Sequence, residues 1–244
     1  MILIVLASGR GKRLGSLTKN SPKCLITLYK NYTIIDQIKK NFKLFKKVII
    51  ITGYKSEILR KKLKLEKVEF VNNKNYLNTN MVESMMLAKK KAGKNDIVVT
   101  YSDIFYDEKI IKKLIKKKGD VLPLNRNWLK SWKNRYGKIK NIKKDAEDIV
   151  LSNGLIKSIG GKIKKRLPKY QFMGIIKIEN KTFKKLSKFY NIVKNKKISL
   201  TEFINLSIIS QITKYKYICS RNYWYEVDNN KDLAYLKNDI DKLF

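Results

Sequence analysis

The sequence predicts an α/β fold of three layers: a mostly parallel central sheet sandwiched by helices, with an antiparallel portion inserted in the second half. Strand-like and helix-like segments alternate regularly before residue 120, the order that builds parallel sheets. The opening strand, Met1–Ala7, is a continuous apolar run, as in strands buried on both faces. After Asp120 the alternation gives way to closely spaced strands and a Ser152-Asn153-Gly154 turn, a hairpin signal. With 244 residues, 43% of them hydrophobic, the chain can bury a substantial core.

Each element has a local cause. Ile34, Ile35, Ile38 and Phe42 recur at helical spacing and predict a helix over Thr33–Phe45. Val48–Thr52 reads as a strand, Ser56–Leu63 as a short helix and Val68–Val71 as the next strand. Asn80 is a cap for a helix over Met81–Lys91. Ile97–Tyr101 is a strand that ends on Ser102-Asp103, and Glu108–Lys117 is the helix after it. Val121–Leu124 is strand-like, and Trp128–Trp132 is a short aromatic helix or loop. Asp148–Leu151 and Leu155–Ile159 flank the hairpin turn, and Gln171–Ile178 is a further strand. Lys181–Tyr190 and Leu200–Ile212 are helical, Tyr215–Cys219 and Tyr223–Val227 are strands, and Lys231–Leu243 is a closing helix. No repeat and no Pro/Gly/Ser linker interrupts this order, so one domain over residues 1–244 is expected.

The formal net charge is +36, from 56 Lys+Arg against 20 Asp+Glu. Alone, that points to nucleic acid or an anionic membrane surface. But only seven of the basic residues are arginine, and the lysines are spread along the whole chain among abundant Asn, Ile and Tyr. An AT-rich coding sequence produces that composition. Runs such as Lys116-Lys117-Lys118 and Lys162-Ile-Lys-Lys-Arg166 read as solvated faces. No nucleic-acid partner is expected, and a basic nucleic-acid-binding protein is kept as the alternative from another class. The positive field would still attract phosphorylated substrates and weaken with salt. The apolar opening is too short for a signal segment or a membrane span, so a cytoplasmic protein without stable membrane insertion is expected. The sequence leaves the oligomeric state open.

Histidine is absent, and the two cysteines, Cys24 and Cys219, have no metal-type spacing. That excludes histidine acid–base chemistry, histidine-activated nucleophiles and zinc-finger ligand sets. Chemistry is left to carboxylates, Lys, Arg, hydroxyls and a hard, oxygen-liking metal. Cys24 has no nearby base or resolving cysteine in sequence and reads as a packing residue.

The first strand runs into Leu6-Ala7-Ser8-Gly9-Arg10-Gly11-Lys12-Arg13-Leu14, followed by Ser21-Pro22-Lys23. Two glycines just past a strand let backbone N–H groups approach phosphate oxygens, and Lys12, Arg13 and Lys23 can neutralise them. Leu14 replaces the third glycine of a dinucleotide fingerprint. Gly11-Lys12 is followed by Arg rather than the Ser or Thr of a P-loop. By itself the loop is equally well an ordinary basic βα turn.

The longer pattern, L-A-S-G-x-G-x-R-L and then Pro22-Lys23, resembles the signature of the sugar-phosphate/choline-phosphate nucleotidylyltransferase superfamily, with Ser8 in place of the usual second alanine. The resemblance extends over most of the chain. Thr52-Gly53-Tyr54 stands where the family has a G-Y element. Asn80-Met81-Val82-Glu83-Ser84 is similar to its Asn-rich segment with a following Ser. Asp103 ends a strand where the family keeps a metal-binding aspartate. Tyr170-Gln171-Phe172-Met173-Gly174 resembles its Q-Y-M-G strand, and Trp224-Tyr225-Glu226-Val227-Asp228 with Asp232-Leu233 resembles its W-x-E-V-D … D-L ending. These later elements look most like the small cytidylyltransferases acting on phosphocholine or 2-aminoethylphosphonate. Trp128, Trp132, Arg135 and Asp145-Ala146-Glu147 are similar to a W…W…R…D-A-E stretch of related enzymes.

The resemblance implies a Rossmann-like, GT-A-type nucleotidyltransferase fold, with residues 1–120 mainly for the nucleotide and 121–244 mainly for the acceptor. It implies a Mg²⁺-dependent enzyme whose acceptor phosphate or phosphonate oxygen attacks the α-phosphorus of CTP and expels pyrophosphate. An acceptor phosphate is mostly doubly ionised at neutral pH, its second pKa being roughly 6, so no general base is obligatory. The task is electrostatic and calls for positioning and cations. Arg13 and Lys23 are the expected phosphate stabilisers. Leu6, Ala7, Ser8, Gly9, Gly11, Lys12, Gly53, Tyr54, Asn80, Ser84 and Ser102 are expected around the nucleotide. Asp103 and Asp228 are expected to hold Mg²⁺. Trp128, Trp132, Arg135, Asp145, Glu147, Tyr170, Trp224 and Glu226 are expected at the acceptor.

Asp145, Glu147 and Asp148 crowd acids into a basic chain. They form either a pocket in which carboxylates and aromatic faces recognise an ammonium group or a solvated turn paired with Lys143 and Lys144. The alternative within the class is a sugar-1-phosphate nucleotidylyltransferase using UTP or dTTP, which would need neutral hydrogen-bonding groups there instead.

Overall fold

A computed structural model of the chain describes residues 1–163, 166–241 and 243. Lys164 and Lys165 of the basic run at 162–166, and Lys242 of the expected closing helix, lie outside the described residues. The first half contains β1 (Ile2–Ala7), β2 (Thr27–Tyr29), β3 (Tyr32–Thr33), α1 (Ile34–Lys39), β4 (Lys47–Thr52), α2 (Ser56–Lys62) and β5 (Val68–Asn72). It continues with α3 (Met81–Leu87), α4 (Lys89–Ala92), β6 (Ile97–Tyr101), β7 (Ile104–Tyr106) and α5 (Lys109–Lys116). The second half contains β8 (Val121–Asn125), α6 (Trp128–Tyr136), α7 (Ile139–Asp145), β9 (Glu147–Ser152), β10 (Leu155–Lys162), β11 (Gln171–Phe172) and β12 (Ile175–Ile178). It ends with α8 (Asn180–Ile192), α9 (Leu200–Ile209), β13 (Tyr215–Ser220), β14 (Trp224–Glu226) and α10 (Asn230–Ile240).

One sheet threads both halves in the order β5-β4-β1-β6-β12-β8-β13-β10-β9, with β11 paired to β8. β5, β4, β1 and β6 pair parallel, and so do β8 and β13. β12 is antiparallel to β6 and β8, and the β9–β10 hairpin forms the far edge. The sheet is therefore mostly parallel with an antiparallel insertion, as expected. Its two faces explain the continuous apolar run of β1. Leu3, Val5 and Ala7 enter one core, while Ile2, Ile4 and Leu6 enter the other, so both sets of alternating side chains are buried. A third, smaller core holds Leu14, Ile26, Leu28, Phe105, Val227 and Leu233, and fastens α10 beneath the glycine loop.

Several elements differ from their expected form. α1 stops at Lys39, and buried Asn41 leads into a separate 3-10 turn over Phe42–Leu44. The helix expected over Met81–Lys91 divides at Ala88. Trp128–Tyr136 is a full helix, and α7 follows it with only Ile142 buried. The strand expected over Gln171–Ile178 breaks at Gly174, whose φ of 71° lies in the left-handed region. There the chain presses against Tyr101: a Cβ at Gly174 would sit 2.7 Å from Tyr101 Cδ2. Gly174→Ala is therefore expected to cost ~2–4 kcal/mol, from backbone strain plus overpacking, read as a lower urea midpoint. Among the described residues no helix is long and apolar enough to cross a membrane.

Candidate active site

The site lies at the carboxyl ends of β1 and β6, where open α/β sheets place their ligand crevices. As β1 ends, Ser8 is held from behind. Its carbonyl accepts from Tyr54 N at 3.0 Å, and its hydroxyl lies 2.9 Å from Ser84 Oγ. Asn73 Nδ2 donates to the same Ser84 hydroxyl at 3.1 Å. Gly53, Tyr54 and Ser84 thus shape the loop rather than wall the cleft. Gly11 adopts a φ of 67°, and a Cβ there would meet Lys23 Cβ at 3.1 Å. The bare glycine lets the Lys23 stem pass under the loop.

A cleft of about 350 Å³ opens over this loop. Leu6, Ala7, Ser8, Gly9, Gly11, Lys12, Arg13 and Lys23 line it, together with Asn80, Ser102, Asp103 and Asp228. At its floor Lys23 Nζ is 2.8 Å from Asp103 Oδ2 and 2.8 Å from Asp228 Oδ1. Arg13 Nη2 reaches the same Asp228 oxygen at 3.0 Å. Burial opposes the charge on Lys23, yet Asp103 and Asp228 raise its pKa above the ordinary lysine value. Burial likewise opposes the charge on Asp228, and Lys23, Arg13 and Arg135 outweigh it, holding that carboxyl below the usual carboxylate range.

Of the two aspartates expected at a metal, Asp103 keeps an open donor, whereas both oxygens of Asp228 are engaged, one by Lys23 and Arg13 and the other by Arg135. Asp103 Oδ1 is buried and makes no hydrogen bond, leaving an unused oxygen acceptor at the cleft floor. Among the described residues no group of three or more Asp, Glu or Cys is placed to hold a metal. Mg²⁺ is commonly bound through one or two carboxylates and completed by substrate phosphates and water, which matches this donor set.

A second cleft of about 200 Å³ adjoins the first and shares Arg13, Met81, Tyr101 and Asp228 with it. Trp132 and Trp224, stacked with ring centroids 5.2 Å apart, form part of its wall with Phe172. Four acidic side chains line it: Asp145, Glu147, Glu226 and the shared Asp228. Asp145 Oδ2 accepts from Trp132 Nε1 at 2.8 Å, and Glu147 Oε1 accepts from Thr201 Oγ1 at 2.7 Å. Gln171 clamps the Glu147 backbone, accepting from its N–H at 3.1 Å and donating to its carbonyl at 2.6 Å. Burial raises the Glu147 carboxyl above its ordinary value. Burial and the adjacent Asp228 charge push Glu226 up to about 8, against the pull of Arg135.

Three residues expected at the acceptor stand outside this wall. Residues 128, 132 and 135 share α6, and only Trp132 projects into the cleft. Trp128 is buried edge-on to Trp132 and donates to Pro168 O at 3.2 Å. Arg135 lies buried behind, with Cζ 4.6 Å from the Trp132 ring. Tyr170 packs against one of the main cores, beside Lys169. Conversely, Asn73, Tyr76 and Thr79 line the first cleft, and Gln171 and Thr201 the second, without having been expected there. The five asparagines between 72 and 80 were a usable signal for a shaped loop after β5. Thr201 sits at the start of α9, where nothing local marks it.

The two thiols differ. Cys219 is exposed, whereas Cys24 is buried and its thiol is pushed up to about 12, chiefly by burial. Thiol titration of the native protein is expected to find one reactive group per chain, the second appearing only in denaturant.

The fold and the paired clefts define a class, and a match to the nucleotidyl transferase family spans residues 2–242. The chain belongs to that family and is a nucleotidyltransferase. It is 30% identical over 257 residues to the CTP:phosphoglutamine cytidylyltransferase of Campylobacter jejuni, covering 96% of this chain and 98% of that protein. Two solved structures share its Rossmann-like fold. The inositol-1-phosphate CTP transferase of T. maritima superposes with a TM-score of 0.76 at 17% identity, over 99% of this chain and 96% of that one. The CTP:phosphocholine cytidylyltransferase of Streptococcus pneumoniae superposes with a TM-score of 0.72 at 19% identity, over 98% and 99%.

Proposed function

We propose that the protein is a cytoplasmic, Mg²⁺-dependent cytidylyltransferase that moves CMP from CTP onto a small phosphorylated acceptor carrying an ammonium group. The observation that carries this reading is the junction of two unlike clefts. One is a glycine loop with Lys12, Arg13 and Lys23; the other is aromatic and lined by four acids, one of them the shared Asp228. The 30% identical relative supports CTP as donor and phosphoglutamine as the first acceptor to try.

In this reading CTP fills the first cleft, with its phosphates over the loop. Lys23 uses two of its three N–H donors on Asp103 and Asp228, and the third is aimed at a phosphate oxygen. The Arg13 side chain is 66% exposed and free to follow the phosphates from its contact with Asp228. Asp103 and Asp228 would hold Mg²⁺, which supplies Lewis-acid stabilisation of phosphate charge when bound. The acceptor's ammonium end lies among Asp145, Glu147 and Glu226, which directs its phosphate toward Arg13 and Asp228. An acceptor oxygen bonds to the α-phosphorus, the bond from that phosphorus to the bridging oxygen breaks, and pyrophosphate leaves. No proton must move, so the absence of histidine is no obstacle.

The test is pyrophosphate release with Mg²⁺, crossing CTP, UTP, dTTP and ATP against phosphoglutamine, phosphocholine, 2-aminoethylphosphonate and glucose-1-phosphate. Release with CTP and an ammonium-bearing acceptor is the expected result. Turnover of glucose-1-phosphate with UTP or dTTP would replace this reading by the sugar-phosphate one. Failure to bind any nucleotide, with salt-sensitive binding to nucleic acid instead, would overturn it.

A further inference from the structure

The two clefts are joined from beneath by a single guanidinium. The Arg135 side chain is only 2% exposed. Its Nε donates to Asp232 Oδ1 at 2.8 Å, and Nη2 donates to Asp232 Oδ2 at 3.1 Å. The same Nη2 reaches Asp228 Oδ2 at 3.3 Å, and Nη1 reaches Glu226 Oε2 at 3.1 Å. Asp232 is itself pinned at the start of α10, accepting from Asp228 N at 2.8 Å and Asn229 N at 3.1 Å.

The three acids do different things. Asp232 faces neither cleft and anchors the fork. Glu226 lines the acceptor cleft. Asp228 borders both clefts and presents its other oxygen to Lys23 and Arg13. A buried ion pair meant only to neutralise Arg135 would need one of them. The planar fork instead spreads four hydrogen bonds over all three, a geometry that the point charge of lysine cannot copy.

We propose that Arg135 is a positioning residue that holds Glu226 of the acceptor cleft and Asp228 of the phosphate cleft in one rigid array, registering the acceptor's cationic end to the reacting phosphates. Arg135 itself touches neither substrate. The proposal deepens the cytidylyltransferase reading and rests on it for the acceptor side.

Arg135→Lys tests it, because the buried charge is kept while the fork is lost. The variant is expected to remain folded by circular dichroism. Its kcat should fall and its acceptor KM should rise, each by about 10- to 100-fold, the range seen when an outer partner that orients a binding carboxylate is lost. KM for CTP should rise by less than that for the acceptor. A second readout needs no acceptor: calorimetric titration of CTP with and without Mn²⁺. The gain in CTP affinity that Mn²⁺ confers should shrink in the variant, because Asp228 is no longer held. A folded Arg135→Lys with kcat, acceptor KM and Mn²⁺ gain all near wild type would overturn the proposal.

If Arg135→Lys does not fold, Arg135→Gln with Asp232→Asn removes one cation and one anion together. Recovery of fold and turnover in that pair would reduce Arg135 to a structural ion pair. Recovery of fold without turnover or Mn²⁺ gain supports the proposal. If the wild type turns over no ammonium-bearing acceptor, the acceptor reading fails by itself, and the Mn²⁺ gain still scores Arg135.

Discussion

Replacing Lys23 by methionine is expected to lower kcat about 10²–10³-fold, the usual loss when one preorganised charge stabiliser is removed. Methionine keeps an apolar stem to pass under Gly11, so the loop's packing is spared. The charge is not. Asp103 and Asp228 would be left facing each other without their shared cation, at a cost of ~3–5 kcal/mol for a buried pair that loses one partner. The destabilisation has a pH signature. In the wild type, Asp228 titrates below its ordinary value and so contributes stability above the usual carboxylate range, which is lost as pH falls through its lowered pKa. Without Lys23, burial acts on that carboxylate with less opposition. Lys23→Met should therefore be most destabilised at neutral pH and approach the wild type in acid, where Asp228 is protonated. Urea midpoints across that range and kcat at saturating CTP are the measurements. An unchanged kcat would remove Lys23 from the phosphate site.

The second large effect is expected in the acceptor cleft. Asp145→Asn combined with Glu147→Gln should raise acceptor KM about 10- to 100-fold, equivalent to one charge-assisted hydrogen bond at ~1.5–3 kcal/mol, because the two amides still hydrogen-bond. KM for CTP should be unaffected, because neither side chain lines the first cleft. Both substitutions keep shape and hydrogen-bonding capacity, so Trp132 and Thr201 retain partners. Glu147 adds a dependence on pH. Its carboxyl is raised by burial, so the charged form that attracts an ammonium grows in as pH rises above the ordinary carboxylate range. Wild-type acceptor KM should fall over that rise, and Glu147→Gln should remove the acid-side part of the profile, leaving the part nearer neutrality that Glu226 contributes. A double variant with unaltered acceptor KM would show that the ammonium end binds elsewhere.

The parallel half of the sheet was readable because burial on both faces leaves an unbroken apolar signal, as in β1 and β4. β2, β3 and β7 were not read as strands, because runs of two or three residues carry no period, whereas β14 lies inside the strand expected over Tyr223–Val227. α7 escaped because it buries one side chain, Ile142, and its other positions are mostly polar. Gly174 was visible inside an expected strand. What it accommodates, the Tyr101 ring, belongs to a strand more than seventy residues earlier. In the site, motif spacing singled out Lys23, Asp103 and Asp228, which the fold gathers although Lys23 and Asp228 are 205 residues apart. Arg135 was read as an acceptor-binding residue. Nothing in its neighbourhood on the chain reveals that Glu226, Asp228 and Asp232, some ninety positions later, close around it.

The carboxylates of the paired clefts lie inside a molecule of formal charge +36. The acceptor wall is thus a local concentration of acid within a lysine-rich exterior. An approaching anion is drawn inward by the whole lysine-rich exterior, at a range that salt trims to about 8–10 Å. A dipolar molecule, phosphate at one end and ammonium at the other, meets something further near the mouth: a torque. Its cationic end turns toward the acidic wall and its phosphate toward the basic loop before any atom of the protein is touched. For an acceptor carrying both charges, as proposed, alignment would then begin as a rotation in solution, with the walls left to complete it.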